Sequence, residues 1–179
     1  MDEQAFTNPR IETERLLLRW FQADDVDAFY VLGSEPRIIR YVGNVPFASR
    51  DVARETLAAA PLTDYATHGF GRFACVWKET GRVIGFCGPK LLADVQEVEL
   101  GYRFLPDFWG MGLATESARA AVAYTRDVLR FRRLVALIHP ENTASARVIS
   151  KLGFVIECKK AMSWFPGVEL DLYASHLDH

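Results

Sequence analysis

Hydrophobic residues recur along this chain in two periods, and each period predicts one type of element. Residues 24–32 and 49–60 carry apolar side chains at the spacing of one helix face. Ser49 is a preferred N-cap residue for the second helix, and Pro61 is expected to end it. From residue 70 onward the period shortens to that of strands, which indicates a change from helices to sheet.

A long helix interrupts the strands in the second half of the chain. Its pattern spans residues 113–130, with apolar residues on one face and charged residues on the other. A shorter helix is predicted at residues 143–152. Residues 97–138 form a βαβ unit between hairpins, which predicts an α/β fold with helices on both faces of a mixed sheet. The predicted strands are residues 11–20, 70–77, 83–92, 95–105, 134–138, 154–161 and 168–174.

Composition and charge favour one globular domain and exclude some classes of partner. Of the 179 residues, 50% are hydrophobic and 25% are charged, and no linker divides them, so residues 1–179 are read as a single domain. The net charge of −2 gives no general attraction to nucleic acid or to an anionic membrane. No apolar run approaches the roughly 20 residues of a membrane-spanning helix, and the acidic N-terminus lacks the features of a signal peptide.

The cysteines indicate a reducing compartment. Cys75, Cys87 and Cys158 lie far apart without a CxxC pair, so they are expected to be reduced residues of the core or strands. A cytoplasmic location follows as an expectation. No spacing of histidine, cysteine or carboxylate residues suggests a metal site.

The segment between the fourth predicted strand and the long helix is the most informative part of the sequence. Gly110, Gly112 and Ala114 keep this turn free of bulky side chains, so a ligand can approach the backbone. Free amides at a helix N-terminus favour an anion, and a pyrophosphate suits this arrangement. A dinucleotide-binding Rossmann turn needs a third small residue and an acidic residue about 20 positions later. In this sequence Thr115 stands at the position of the third small residue, and Arg-Phe-Arg-Arg occupies residues 130–133, where the acidic residue is expected. Both differences argue against a Rossmann turn.

The order of these motifs resembles the GNAT acetyltransferase superfamily, in particular its branch of Rim-type ribosomal-protein N-terminal acetyltransferases. The resemblance implies a GNAT-like α/β domain with a central sheet of about seven, mostly antiparallel, strands. Two central parallel strands, residues 97–105 and 133–138, are expected to splay apart for the co-substrate acetyl-CoA, and no metal is implied. Beside the glycine loop, the segments that carry the resemblance are His139-Pro140-Glu141-Asn142-Thr143-Ala144-Ser145 and Lys151-Leu152-Gly153-Phe154.

The resemblance also implies which residues bind acetyl-CoA. Trp109 stands where the family signature has glutamine or arginine, as an aromatic residue commonly does in the Rim-like branch. The pantetheine arm would pair with the strand at Phe104 and Leu105. Asn142 would contact the pantetheine or the acceptor, besides being a preferred helix cap. The amides from Met111 to Thr115 are assigned to the pyrophosphate. The loop residues assigned to acetyl-CoA as a whole are Trp109, Gly110, Met111, Gly112, Leu113, Ala114 and Thr115.

The candidate catalytic residues are a serine and a glutamate. Many family members protonate the leaving thiolate with a tyrosine at the position of Ile149. Ser145, one turn earlier, is assigned as the hydrogen-bond donor here, because Rim-like enzymes also have a serine there. The attacking amine must be neutral, and Glu97 or Glu99 is placed to accept its proton. Glu99 is preferred because it precedes Gly101-Tyr102 as in many relatives. A salt-bridged or solvated pair is the alternative interpretation of these glutamates.

The acceptor stays open at this point. The acceptor is either a protein or peptide N-terminus or a small-molecule amine. A different alternative is a non-catalytic acyl-CoA-binding sensor, which Ile149 suggests because it replaces the usual tyrosine. Some Rim-like enzymes carry a glutamate before the last hairpin, whereas residues 161–164 contain none, which argues against ribosomal-protein specificity. Relatives are often dimers, so a homodimer is an expectation. The aromatic candidates for an acceptor pocket are Trp20, Tyr41, Phe47 and Trp164.

Overall fold

The computed structural model describes residues 8–43 and 45–177, and one mixed sheet lies at its centre. The strands lie in the order β1-β2-β3-β4-β5-β6-β8-β7, with β5 and β6 parallel and the other neighbours antiparallel. Their bounds are β1 (Arg10–Glu12), β2 (Leu16–Trp20), β3 (Phe73–Trp77), β4 (Arg82–Leu92), β5 (Glu97–Phe104), β6 (Arg133–Ile138), β7 (Val155–Ala161) and β8 (Glu169–His176).

The described sheet has eight strands rather than about seven because the predicted strand at residues 11–20 is divided. A turn in which the Thr13 amide donates to the Leu16 carbonyl at 2.9 Å separates β1 from β2. The Thr13 hydroxyl also accepts a hydrogen bond from the Leu16 amide at 3.0 Å. A side chain that bonds to nearby backbone groups competes with the sheet ladder, which is why the strand breaks at this threonine.

The helices of the described residues are α1 (Val26–Ser34), α2 (Pro36–Ile39), α3 (Arg50–Leu57), α4 (Thr63–His68), α5 (Leu113–Asp127) and α6 (Thr143–Lys151). The prediction that Pro61 ends a helix is wrong, since Pro61 lies inside a π-helical turn, Ala58–Leu62, that joins α3 to α4. The wider turn avoids the clash between a proline ring and the carbonyl four residues earlier. No helix within the described ranges has the length and apolar character needed to cross a membrane.

Side chains alternate between the two faces of the sheet and build a hydrophobic core on each face. Cys87 belongs to the larger core, against α5 and α6, and its neighbour Phe86 to the smaller core, against α1, α3 and α4. On β5, Leu100 faces the larger core. Glu99 and Arg103 therefore face α1, which places the charged residues of this central strand on the side opposite the long helix α5.

Candidate active site

β5 and β6 separate soon after they meet, and their separation opens the sheet. In the described part of the chain the ladder between them consists of one pair, Glu99 and Val135. The Leu105 amide donates to β4 at 2.9 Å. Because backbone groups of a strand alternate in direction, those of Tyr102 and Phe104 point into the opening toward β6. The predicted splay of the two parallel strands is confirmed.

A cavity of about 1070 Å³ occupies this opening and extends from the glycine loop to the space beneath α1. We call its far end the α1 chamber. Aromatic rings form a continuous wall there, since the Phe29 ring centroid lies 5.5 Å from the centroids of both Phe21 and Phe47. The residues that define the α1 chamber are Phe21, Phe29, Leu32, Phe47, Arg72, Phe86, Glu99 and Arg103.

Most of the aromatic residues expected at an acceptor pocket reach this cavity. Tyr41, Phe47 and Trp164 line it. Tyr41 also lies 5.1 Å from the ring of His139, another lining residue. Trp20 instead stacks on a tyrosine of the smaller core, with 4.5 Å between ring centroids.

The glycine loop forms an open cradle at the start of α5. Gly112 is the N-cap and has φ +80°, a left-handed conformation that glycine adopts without strain. No side chain caps the helix, and a Cβ atom at Gly110 would meet nothing within 4 Å. The first-turn amides of residues 113–115 therefore have no intrahelical acceptor and face open space. This geometry fits a pyrophosphate, and all the loop residues assigned to acetyl-CoA except Met111 line the cavity.

Trp109 closes the base of this loop. Its indole Nε1 donates to the Phe104 carbonyl at 2.7 Å, so the side chain at the unusual signature position holds the loop against β5. Phe104 lines the cavity, whereas Leu105 does not. Both backbone groups of Leu105 have protein partners, since its carbonyl accepts from the Phe108 amide at 2.9 Å.

A hydrogen-bond network, which we call the loop brace, fixes the cradle from the other side. Glu116 in the first turn of α5 accepts from the Thr13 hydroxyl at 2.6 Å and from the Arg15 amide and Nε at 2.8 Å each. Arg15 also donates to the Met111 carbonyl at 2.9 Å. Burial acts to raise the pKa of Glu116, but these hydrogen bonds together lower it below its ordinary value. The positive charge of Arg15 offsets the negative charge of the Glu116 carboxylate, which lies beside the anion cradle.

We expect Glu116→Gln to lower the free energy of unfolding by about 1–2 kcal/mol, because the brace loses charged hydrogen bonds. A group whose folded pKa is depressed stabilises the protein above its unfolded pKa. The difference from wild type should therefore shrink as the pH falls below 4.5, the ordinary value for this carboxyl. Urea denaturation between pH 3.5 and 7 measures it, with the exposed Glu55→Gln on α3 as control. If the difference in the free energy of unfolding did not change with pH, the charged hydrogen bonds of Glu116 would not be its cause.

The start of α6 brings two hydroxyl groups together. Asn142 caps the helix by accepting from the Ser145 amide at 3.1 Å, and both residues line the cavity. The Tyr102 hydroxyl on β5 donates to the Ser145 carbonyl at 3.1 Å. Burial raises the pKa of Tyr102, so it remains a protonated donor. Ile149 is completely buried in the larger core. No local pattern indicated the Tyr102 contact, because its partner lies on a helix beyond the next strand.

The two candidate glutamates have different surroundings. Glu99 lines the cavity and forms an ion pair with Arg72, in which each side chain is 13% exposed. Arg72 also donates to the Glu99 carbonyl at 3.0 Å and to the Gly88 carbonyl. Glu97 pairs with Arg133 at 3.1 Å and is not among the lining residues. The structure therefore brings Glu99, but not Glu97, to the cavity, and it holds Glu99 as an ion-paired carboxylate.

The cysteines are not among the residues that line the cavity. Cys75 and Cys87 are completely buried, and burial raises the pKa of each thiol, that of Cys87 to about 12. Cys158 is exposed on β7. Among the described residues, no group of three or more histidine, cysteine or carboxylate side chains is arranged to hold a metal ion.

Comparison with known proteins defines the class of this fold and site. The family model for the acetyltransferase (GNAT) domain matches residues 15–155. The uncharacterized N-acetyltransferase p20 of Bacillus licheniformis is 32% identical over 144 residues, which cover 79% of this chain and 80% of p20. The chain belongs to the GNAT acetyltransferase family, and it is an acyltransferase of that family.

Solved structures share the fold over nearly the whole chain. An acetyltransferase from Agrobacterium tumefaciens has a TM-score of 0.79 at 27% identity and covers 96% of each chain. RimL, a ribosomal α-N-protein acetyltransferase solved in complex with coenzyme A, has a TM-score of 0.79 at 18% identity. That match covers 95% of this chain and 99% of RimL. Rim-type enzymes are thus among its structural neighbours.

Proposed function

We propose that this protein transfers the acetyl group of acetyl-CoA to a primary amine, either a protein or peptide N-terminus or a small-molecule amine. The observation that carries the proposal is the continuous cavity through the β5–β6 opening. It joins an anion cradle at Gly110 and Gly112 to the α1 chamber. Two substrates bound at the two ends of this cavity would meet at Tyr102 and Glu99.

The cofactor end suits acetyl-CoA, which supplies the acetyl group as a thioester. The amides of Leu113, Ala114 and Thr115 bind the pyrophosphate at the α5 N-terminus. The backbone groups of Tyr102 and the amide of Phe104 face the opening and serve the pantetheine arm as a neighbouring strand would. The Tyr102 amide is the donor we assign to the thioester oxygen, where negative charge develops.

The acceptor end supplies the proton transfers. Glu99 accepts a proton from the amine, directly or through water, before or during attack on the thioester carbonyl. Ser145 donates a hydrogen bond to the departing thiolate. Tyr102 holds the Ser145 backbone at β5 and so positions this hydroxyl. The amine attacks directly, because the buried thiols of Cys75 and Cys87 are protonated and unsuited to carry the acetyl group.

Ser145→Ala is expected to lower kcat about 3- to 10-fold, the size of one lost neutral hydrogen bond in the transition state. The KM for acetyl-CoA should stay within about 2-fold of wild type, because the anion cradle is unchanged. Steady-state release of free thiol measures both constants. Ser150→Ala, at an exposed position of the same helix, is the matched control. Equal kcat values for the two variants would remove Ser145 from the mechanism.

Binding and turnover together test the proposal. Calorimetric titration should give micromolar affinity for acetyl-CoA and no binding of NAD, and thiol release should then depend on an added amine. The specific alternative is an acyl-CoA-binding sensor, favoured by the buried Ile149 at the position of the family's tyrosine. Tight acetyl-CoA binding without turnover of peptides, amino acids or polyamines would support the sensor and reject the enzyme.

A further inference from the structure

We infer that Arg72 is a positioning residue of the acetyl transfer, whose guanidinium lies across β5 at Gly101 and holds the Glu99 carboxylate in one orientation. The inference rests on the acetyl transfer proposed above, with Glu99 as its base, and it assigns a second residue to the step in which the amine loses its proton. Its basis is the place of the Arg72 side chain on the sheet.

A gap in the side chains of the sheet receives Arg72. Gly88 on β4 and Gly101 on β5 stand directly opposite each other in the antiparallel ladder. Because neither residue has a side chain, the ladder is open at this point. A Cβ atom built at Gly101 would lie 2.5 Å from Cζ and 2.8 Å from Nη1 of Arg72. The guanidinium therefore occupies the space that a side chain at residue 101 would need.

Arg72 uses this gap to bind backbone groups and a carboxylate together. It precedes β3 by one residue, and its side chain reaches past β4 to β5. Its Nη1 donates to the Gly88 carbonyl and, at 3.0 Å, to the Glu99 carbonyl. Its Nη2 donates to Oε2 of Glu99. The backbone acceptors thus fix the guanidinium, and the guanidinium in turn fixes the carboxylate.

The main chain of Arg72 is held as well. The Tyr65 hydroxyl on α4 donates to the Arg72 carbonyl and accepts from the Phe21 amide at 3.0 Å. Burial raises the pKa of Tyr65, so this hydroxyl remains a protonated donor. Both ends of the arginine are therefore anchored to the protein, as a residue that orients another side chain requires.

An oriented carboxylate is an advantage for a general base. A free glutamate side chain rotates about several bonds, and this freedom must be lost before it can accept a proton in the right geometry. The ion pair with Arg72 restricts Glu99 before the substrates bind. Lys90 stands opposite Glu99 in the ladder, but it pairs with Asp64 at 4.0 Å. Arg72, rather than Lys90, therefore orients the base.

Removal of the guanidinium is the first test. Arg72→Met is expected to lower kcat roughly 10- to 100-fold and to leave KM for acetyl-CoA within about 2-fold, because the anion cradle is unchanged. Arg72→Lys should recover part of the loss, since it keeps the charge without the fork. Arg133→Met is the matched control. Arg133 pairs with Glu97 on β5 at 3.1 Å and with Glu157 at 2.8 Å, outside the cavity lining, so kcat should stay within about 3-fold of wild type.

Two measurements separate positioning from a merely structural role. In the Glu99→Gln background, Arg72→Met should change kcat less than about 3-fold, because the base that it positions is absent. The Arg72→Met defect should also shrink as the basicity of the acceptor decreases. Thiol release with ethylamine and its mono-, di- and trifluorinated forms measures this trend, because these amines are similar in size and fall in basicity. Defects that multiply in the double variant, or that are equal for all four amines, would overturn the inference.

Gly101→Ala tests the gap without removing a charge. The added methyl group should displace the guanidinium and lower kcat roughly 10-fold, but it should change kcat less than about 3-fold when residue 72 is already the flexible methionine. Acetyl-CoA affinity in calorimetry verifies that each variant is folded. Absence of turnover in the wild type would reject the acetyl transfer and this inference together. Turnover in the wild type with an unchanged kcat in Arg72→Met and Gly101→Ala would overturn the inference alone.

Discussion

Replacing Gly112 with glutamate is expected to weaken acetyl-CoA binding roughly 100-fold or more. The new side chain would begin at a backbone position with φ +80° and extend from the cradle that the first-turn amides of α5 face. Its carboxylate would occupy the place of the pyrophosphate at the positive end of the helix dipole. It would also stand near Arg15, whose Nη2 atom lies 3.8 Å from a Cβ built at this glycine, and compete with the loop brace for that guanidinium.

The matched control separates this effect from backbone strain. Gly81, in the β3–β4 turn, has φ +69° and nothing within 4 Å of a built Cβ atom. Gly81→Glu therefore adds the same residue to a similar left-handed position away from the cavity. Both variants should lose some stability, about 1–2 kcal/mol, but only Gly112→Glu should lose acetyl-CoA affinity in calorimetry. Unchanged affinity in Gly112→Glu would show that the glycine loop is only a turn.

Glu99→Gln is expected to lower kcat/KM for the amine roughly 100-fold, the usual size of a lost general base. The effect should depend on the acceptor. An amine of low basicity is already neutral at the working pH, so the defect should shrink as the acceptor's pKa decreases. Thiol release with a series of amines of graded basicity at one pH measures this trend. A defect of constant size would indicate that Glu99 serves only as the partner of Arg72.

Glu97→Gln is the natural control for this experiment. Glu97 lies on the same strand and the same face, two residues earlier, and its partner is Arg133. The substitution therefore also removes a carboxylate from an arginine, outside the cavity lining, although Arg133 keeps its ion pair with Glu157 at 2.8 Å. We expect its kcat/KM to stay within about 3-fold of wild type. Similar losses in the two variants would mean that strand electrostatics, rather than proton transfer, cause the Glu99 effect.

Local patterns predicted the parts of the molecule that local forces determine. The periods of 2.0 and 3.6 residues gave every strand region and the long helix α5, and two glycines with an open turn predicted the cradle at Gly110 and Gly112. Pro61 was misjudged because a proline ends a regular α-helix but is accommodated by a π-helical turn. The sequence does not reveal that choice, since it depends on how α3 and α4 pack on the sheet.

The ion-pair and hydrogen-bond partners of the candidate site residues could not be predicted from the sequence, for a different reason. Glu99 was identified as a candidate base, but its partner Arg72 lies 27 positions away. Tyr102 reaches Ser145 across 43 positions. Contacts of this kind depend on strand register and on which face of the sheet a residue occupies, and both are set by the complete fold. The sequence therefore indicated the candidate residues of the site but not the partners that hold them in place.

The loop brace has a consequence for how this chain acquires its binding ability. Thr13 and Arg15, in the turn before β2, contact Glu116, 103 and 101 positions later. Pairing of such distant segments is slow and occurs only when most of the chain is ordered. A nascent or partly unfolded chain thus lacks a shaped cradle, although its glycine sequence is complete. In the proposed complex, acetyl-CoA would recognise only folded molecules, and its binding would stabilise the native state against unfolding.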